Sequence, residues 1–356
     1  MGWVYNIFGD FVNYIPEAHM DSWLQLETQV NLFLQSLGTW LTVPMGALTF
    51  LGNEEFFLLA MPFLFWCVNA GLGFRIGLML MLSNAVNAFF KVLFRGPRPY
   101  WIEPRVTAFS AETSFGVPSG HSQNSASLWG LAAAKINRRW VWVVFSLIVF
   151  GVGLSRLYLG VHFLRDVLLG WTLGALLVFA FTRWEKAVCD WLRPQSLQRW
   201  ILLSAAAALV LLLLMQLPIA LLSPAGYPAE WAQAALQAAP EEPITPFERS
   251  GSFTIAGTFF GMTAGYAYLL KRKGGFDASG LWWKKALRYL LGGIVLLALW
   301  FGLGQIFPRN EDLVSYILRF LRYTLIGVWV SALAPILFMR FGLARPILRS
   351  ESTQKT

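Results

Sequence analysis

Long apolar stretches follow one another along this chain, at residues 56 to 74, 76 to 90, 122 to 134, 140 to 154, 167 to 182, 200 to 222, 252 to 270, 286 to 307 and 323 to 339. A helix needs roughly 20 apolar residues to cross the hydrocarbon layer, and it satisfies its own backbone there. The pattern therefore predicts an all-α, polytopic transmembrane helical bundle of about nine spans. The third and fourth stretches are short and reach the required length only if the residues beside them continue the helix. Residues 32 to 51 are apolar but interrupted by Pro44 and several glycines. The segment before them, DSWLQLETQVNLFLQSL, places apolar residues at helical spacing with acids on the opposite face. The earlier segment reads as a helix lying along the membrane, and residues 32 to 51 either join it in the interface, the favoured reading, or form a tenth span.

Composition agrees with the membrane as solvent: 56% of the residues are hydrophobic, 13% are charged, and mean hydropathy is +0.55. The net charge of +9 would suggest nucleic acid in a soluble chain. Here the cations sit mainly in connectors between apolar stretches, so their role is topological and no nucleic-acid partner is expected. With the N-terminus outside, the connectors around Arg75, 135 to 139, 183 to 199, 271 to 288 and the tail from Arg340 are cytoplasmic. They hold 18 of the 28 Lys and Arg but four of the 19 acids, the orientation that the positive-inside rule selects. No Lys or Arg precedes Arg75, so the basic start of a signal peptide is missing and insertion is expected to use an internal helix. Cys67 and Cys189 occupy dissimilar settings and read as structural, not as a disulfide or a metal site.

Two groups of cations break the charge rule. Arg309, Arg319 and Arg322 fall on the outer side and read as interface anchors. Lys91, Arg95, Arg98, Arg105, Arg156 and Arg165 gather near the outer ends of spans two to five, and cations concentrated on the disfavoured side point to an anion site.

Three segments carry the candidate chemistry. In KVLFRGPRP, Lys91 lies on a last helical turn and Arg98 stands between Pro97 and Pro99, which hold the backbone extended. In VPSGH, Ser119 is a predicted N-cap, and Gly120 beside it lets backbone N–H groups approach an anion. In SRLYLGVHFLRD, His162 and Asp166 are four apart, so on a helix they share one face and the carboxylate can hold the ring. Each has an ordinary structural explanation: a basic helix end, a cap, a local pair. Independent structural causes do not explain why all three arrive at one face of the membrane, with two of the three histidines among them. His19, without such partners, reads as interfacial or structural.

The set suits phosphoryl transfer, which needs fixed donors around the equatorial oxygens, an activated nucleophile and a general acid. Lys91, Arg98 and Arg156 supply charge, and Ser119 with the Gly120 N–H supplies neutral donors. His162, oriented by Asp166, can form a phosphohistidine while His121 protonates the leaving alkoxide and later activates water. The set calls for no metal or cofactor, and the carboxylates are too scattered for a two-metal site.

These motifs resemble the type 2 phosphatidic acid phosphatase (PAP2) superfamily, whose pattern reads K-x6-RP, PSGH and SR-x3-G-x-H-x3-D. The chain matches it at Lys91, Arg98, Pro99, Pro118, Ser119, Gly120, His121, Ser155, Arg156, Gly160, His162 and Asp166. The resemblance implies a helical core over residues 53 to 185, metal-independent catalysis, and His162 as nucleophile, His121 as acid and base, and Asp166 as orienting group. It divides the chain into N-terminal interfacial helices (1 to 52), this core, and additional spans (186 to 356) with an outer loop at 223 to 250 and a cytoplasmic tail. The outer loop, rich in Pro and Ala, either covers the site or is simply solvated. The expected substrate is a membrane lipid phosphate or pyrophosphate. YW after the first motif is similar to sphingoid-base phosphate phosphatases, while bacterial undecaprenyl pyrophosphate phosphatases share the signature. The expected location is the bacterial inner membrane, with the site facing the non-cytoplasmic side. A lipid phosphotransferase would use the same residues, and a haloperoxidase would hold vanadate with them. A transporter has little use for the complete set.

Overall fold

The computed structural model describes residues 17–347 and the side chains from residue 23 on, so the tail beyond 347 and the His19 side chain lie outside the described residues. Helix α1 (Glu17–Ser36) leads through a short 3-10 turn to α2 (Thr42–Phe50) and α3 (Glu54–Val68). The bundle continues with α4 (Ala70–Phe94), a short α5 (Pro99–Ile102), α6 (Gly120–Ile136), α7 (Arg139–Tyr158), α8 (Leu164–Leu192) and α9 (Leu197–Leu222). A one-turn segment and α10 (Ala229–Ala238) precede α11 (Ser250–Lys273), α12 (Trp282–Ile306) and α13 (Leu313–Arg340). The described strands, β1 (Phe276–Asp277) and β2 (Arg345–Pro346), form one antiparallel pair.

Seven of these helices are long and apolar enough to cross a membrane, and an eighth crossing exists if the bent pair Thr39–Phe50 and Glu54–Val68 counts as one span. At 17 residues helix α6 falls just short of that length, and it buries Gln123, Asn124 and several serines. These residues face neighbouring helices. Gln123 Nε2 donates to Ser83 O at 2.8 Å, Asn87 Nδ2 to Gln123 Oε1 at 3.0 Å, and Asn124 Nδ2 to Asn84 Oδ1 at 2.9 Å. A polar stripe is affordable in a bundle when every member finds a partner on the next helix. Counting both α6 and the bent pair as crossings brings the path to nine, close to the number read from the hydropathy pattern. The motif residues continue the two short stretches, extending them to the 17 residues of α6 and the 20 of α7.

The sequence placed the first connector at Arg75, but the chain breaks at Asn69, whose side chain caps α4 by accepting from Leu72 N at 2.9 Å. The apolar residues on either side hide that break. Arg75 instead lies inside α4 and pairs with Glu185, which also pairs with Lys135. Nine-residue α2 is about 13 Å long, too short to cross. It lies against α7, with Thr42 Oγ1 3.1 Å from the Tyr158 hydroxyl and Thr49 Oγ1 accepting from Arg156 at 2.8 Å.

The added spans pack on one another through small residues. Gly257, Gly261 and Gly265 recur every fourth residue on α11 and meet Phe320, Thr324 and Ser331 of α13 in the same order, so the two helices run parallel. A side chain at Gly261 would collide with the α13 backbone. Membrane helices that approach this closely gain dispersion contact in place of a hydrophobic driving force.

The candidate active site

Lys91 stands on the last turn of α4, as its position in the motif predicts. Its Nζ donates to Ser114 Oγ at 3.0 Å and to Phe115 O at 2.7 Å. Arg98, extended at φ −97 and ψ 156 between its two prolines, is fully buried. Its guanidinium is held from several sides: Nε donates to Ser114 O at 2.7 Å, Nη1 to Val161 O at 2.9 Å, and Nη2 to Phe115 O at 3.1 Å. A planar fork locked by backbone carbonyls cannot swing away from an incoming anion. Ser119 is the N-cap of α6, accepting from Ser122 N, and Gly120 opens that helix. The Ser119 N–H donates to Asp166 O at 3.0 Å, which ties the second motif to the third.

His162 and Asp166 pair for a different reason than a shared helix face. His162 lies in the turn between α7 and α8, while Asp166 sits in the first turn of α8. Asp166 Oδ2 accepts from Phe163 N at 2.9 Å, as a first-turn carboxylate does at a helix start. The same oxygen lies 3.3 Å from His162 Nδ1. The other ring nitrogen, Nε2, faces Arg98 Nη1 at 3.2 Å. The imidazole is only 1% exposed. Burial first, and then the charges of Arg98, Arg156 and Lys91, hold its pKa well below the ordinary histidine range. That favours the neutral ring, whose Nε2 lone pair then faces the Arg98 guanidinium when Asp166 accepts from Nδ1.

Arg156, on the last turn of α7, donates to Thr49 Oγ1 and pairs with Glu112. His121, on the first turn of α6, is joined through Nε2 to Asn53 Oδ1. All eight predicted residues thus gather at one end of the bundle, drawn together by α4, α6, α7 and α8.

Three further residues were not singled out by sequence. Glu112 Oε1 binds Arg156, and its Oε2 is 3.6 Å from Arg98 Nη2. Burial alone would raise its pKa, but Arg98 and Arg156, with His121 and Lys91 beyond them, hold it well below the usual carboxylate range. Asn53 precedes α3 at the break after α2, and its side chain meets His121 in place of capping the helix. Asn31 of α1, fully buried, donates through Nδ2 to Leu157 O at 2.7 Å and to His162 O at 3.1 Å. It fixes the turn that carries the histidine.

The model named PAP2 superfamily matches residues 72–188, and one named PAP2 superfamily phosphatase, transmembrane extension, matches residues 253–346. The chain is 32% identical over 165 residues to phosphatidylglycerophosphatase B of Bacillus subtilis (strain 168), covering 42% of this chain and 77% of that protein. The chain belongs to the PAP2 superfamily. It is also 31% identical to glucose-6-phosphatase 3 of Bos taurus, across 42% of this chain and 50% of that protein. Sphingosine-1-phosphate phosphatase 1 of Mus musculus is 28% identical, across 37% of this chain and 32% of that protein. The chain thus spans half or less of these two relatives.

Around this candidate PAP2 site, the loop at 223 to 250 packs over the segment that carries Glu112 and Ser114. Thr245 N donates to Thr113 O at 2.8 Å, and Trp231 of α10 lies 6.0 Å from Trp101 between ring centroids. Phe247 and Tyr227 close on Phe115 at 5.3 and 6.5 Å. Of the two readings open for this loop, cover or solvated connector, the contacts fit the cover.

Proposed function

We propose that this chain is an integral-membrane lipid phosphate or lipid pyrophosphate phosphatase that works through a phosphohistidine at His162. The observation that carries the reading is a buried imidazole with a carboxylate behind Nδ1 and a fixed guanidinium beside Nε2. In the first step the Nε2 lone pair of His162 attacks phosphorus and the bond from phosphorus to the leaving oxygen breaks. His121 gives that oxygen its proton. In the second step His121 takes a proton from water, which attacks the phosphohistidine; inorganic phosphate leaves and Nε2 regains its lone pair. Lys91, Arg98, Arg156, Ser119 and the Gly120 N–H hold the transferring oxygens and supply the charge stabilisation, so the step needs no metal. Asp166 keeps the proton on Nδ1 and stabilises the cation that forms on the ring.

Glu112 joins this account because it bridges two of the phosphate-binding arginines. A substrate phosphate must displace its carboxylate to reach them. The relatives' names share one reacting group, a phosphate ester, on very different alcohols. A site at one end of an apolar bundle favours a lipid alcohol for this chain, reached from within the bilayer.

Phosphate release by the purified protein from a panel of lipid monophosphates and pyrophosphates tests the reading. Activity should survive EDTA and be inhibited by vanadate. Activity that disappears with chelator and returns with a divalent ion would contradict it.

The charge distribution supports a site on the non-cytoplasmic face, in a bacterial inner membrane. In a Cys189→Ser background, cysteines placed at Ala108 and Asn137 should label from opposite sides with an impermeant thiol reagent. Labelling of both from one side would overturn the orientation.

A further inference from the structure

Three arginines that the reaction does not use lie in the added spans. Arg309 follows α12, while Arg319 and Arg322 sit one turn apart on α13. Arg309 and Arg322 converge on one glycine. Arg309 Nη2 donates to Gly304 O at 3.0 Å, and the Arg322 guanidinium lies 3.0 to 3.2 Å from where a side chain on Gly304 would begin. Arg319 Nε donates to Thr254 Oγ1 at 2.9 Å. Beneath Arg322 is the Tyr323 ring, 5.0 Å from the guanidinium carbon to the centroid, and its Nε is buried with no hydrogen-bond partner.

No counter-ion meets them. The acids nearest in sequence are engaged elsewhere, Glu311 with the Tyr316 hydroxyl and Asp312 with Ser315. Among the described residues none of the three arginines forms an ion pair. Like charges side by side repel, and cations at this end of the bundle oppose the positive-inside rule. Interface anchoring, the role their sequence suggests, suits Arg309. It does not suit Arg322, nine residues beyond Leu313 and so about 14 Å down the helix, where an ionisable group needs a partner.

We propose that Arg309, Arg319 and Arg322 form a second phosphate-binding site, separate from the catalytic one, that holds the headgroup phosphate of an anionic phospholipid. Guanidinium forks suit phosphate oxygens, and one shared anion removes the repulsion among the three. The lipid source follows from the surroundings. Thr254, which holds Arg319, and Tyr323, beneath Arg322, both line a cavity of about 180 Å³ between the core and the added spans. Its walls include Met61, Leu80, Leu296 and Ile326, which offer an aliphatic chain a path beside the headgroup site. A lipid there would join the extension to the catalytic core.

The test measures binding of phosphatidylglycerol to the purified full chain in detergent, by native mass spectrometry. This lipid is a phosphodiester, so binding is read without turnover. Arg319→Gln with Arg322→Gln should weaken the tightest adduct at least tenfold, whereas Arg98→Gln should leave it in place. Zwitterionic phosphatidylcholine should bind at least tenfold more weakly, and millimolar inorganic phosphate should not displace the lipid. Undiminished binding by the double variant, loss in Arg98→Gln instead, or displacement by inorganic phosphate would each overturn the proposal. Should the double variant not fold, photoactivatable phosphatidylglycerol on the unaltered protein decides. Adducts are expected on peptides from 250 to 262 or 296 to 327, and adducts confined to the catalytic motifs would contradict the site.

Discussion

Arg98 Nη1 lies 3.2 Å from His162 Nε2, on the side of the ring that faces away from Asp166. The guanidinium therefore borders the lone pair that would attack phosphorus, while its other protons bind the carbonyls of Ser114, Phe115 and Val161. Arg98→Lys keeps a charge but loses the fork. It should lower kcat/KM by about 10²- to 10³-fold. It should also destabilise the protein by about 1–3 kcal/mol, because buried carbonyls lose their donors. Steady-state kinetics and thermal unfolding of the same sample check both effects, and near-normal activity would argue against Arg98 as a phosphate ligand.

Glu112 pairs with Arg98 and Arg156, the two arginines that the proposed reaction assigns to the substrate phosphate. Removing its charge in Glu112→Gln should tighten vanadate inhibition by about tenfold, the scale of one charge-assisted contact. Weaker inhibition would mean that the carboxylate instead holds the arginines ready for phosphate.

Asn53 meets His121 through Oδ1 and Nε2, so Asn53→Ala frees the ring to turn. The loss in kcat should reach about 10- to 100-fold for an alkyl phosphate, less than the full contribution of a general acid because His121 itself remains. For an aryl phosphate, whose leaving group needs no proton, phosphorylation of the enzyme should be almost unaffected. Equal losses of that step for both substrates would assign Asn53 a purely structural role.

The depressed pKa of His162 gives stability a pH dependence. Its pKa is lower in the folded protein than the ordinary 6.5, so below that pH the unfolded chain binds more protons and stability falls as pH falls. Between pH 8 and pH 5.5 the unaltered protein should lose more thermal stability than His162→Gln, which lacks this group. Parallel losses would show that the ring is not held neutral.

Much of this was legible because PAP2 chemistry concentrates in three short segments, and a helix cap such as Ser119 is written in local sequence. Asn31, Asn53 and Glu112 were not legible, since each is one ordinary polar residue brought in from elsewhere; Asn31 reaches His162 across 131 positions. The break at Asn69 was hidden by apolar residues on both sides, and only a capping asparagine marks it. The partners of the buried amides of α6 were not legible either, because they lie on α4, 36 and 40 positions away. The glycines at 257, 261 and 265 show their four-residue spacing in the sequence, a signal for close helix packing that needed no structure.

The central claim is that His162 carries the phosphoryl group, and rapid quench with a radiolabelled aryl phosphate tests it most directly. In His121→Ala the labelled intermediate should form and accumulate, because nothing then activates water, and it should map to His162. In His162→Ala no labelled protein should appear. A phosphoenzyme in His162→Ala, or a label that maps to His121, would contradict the account.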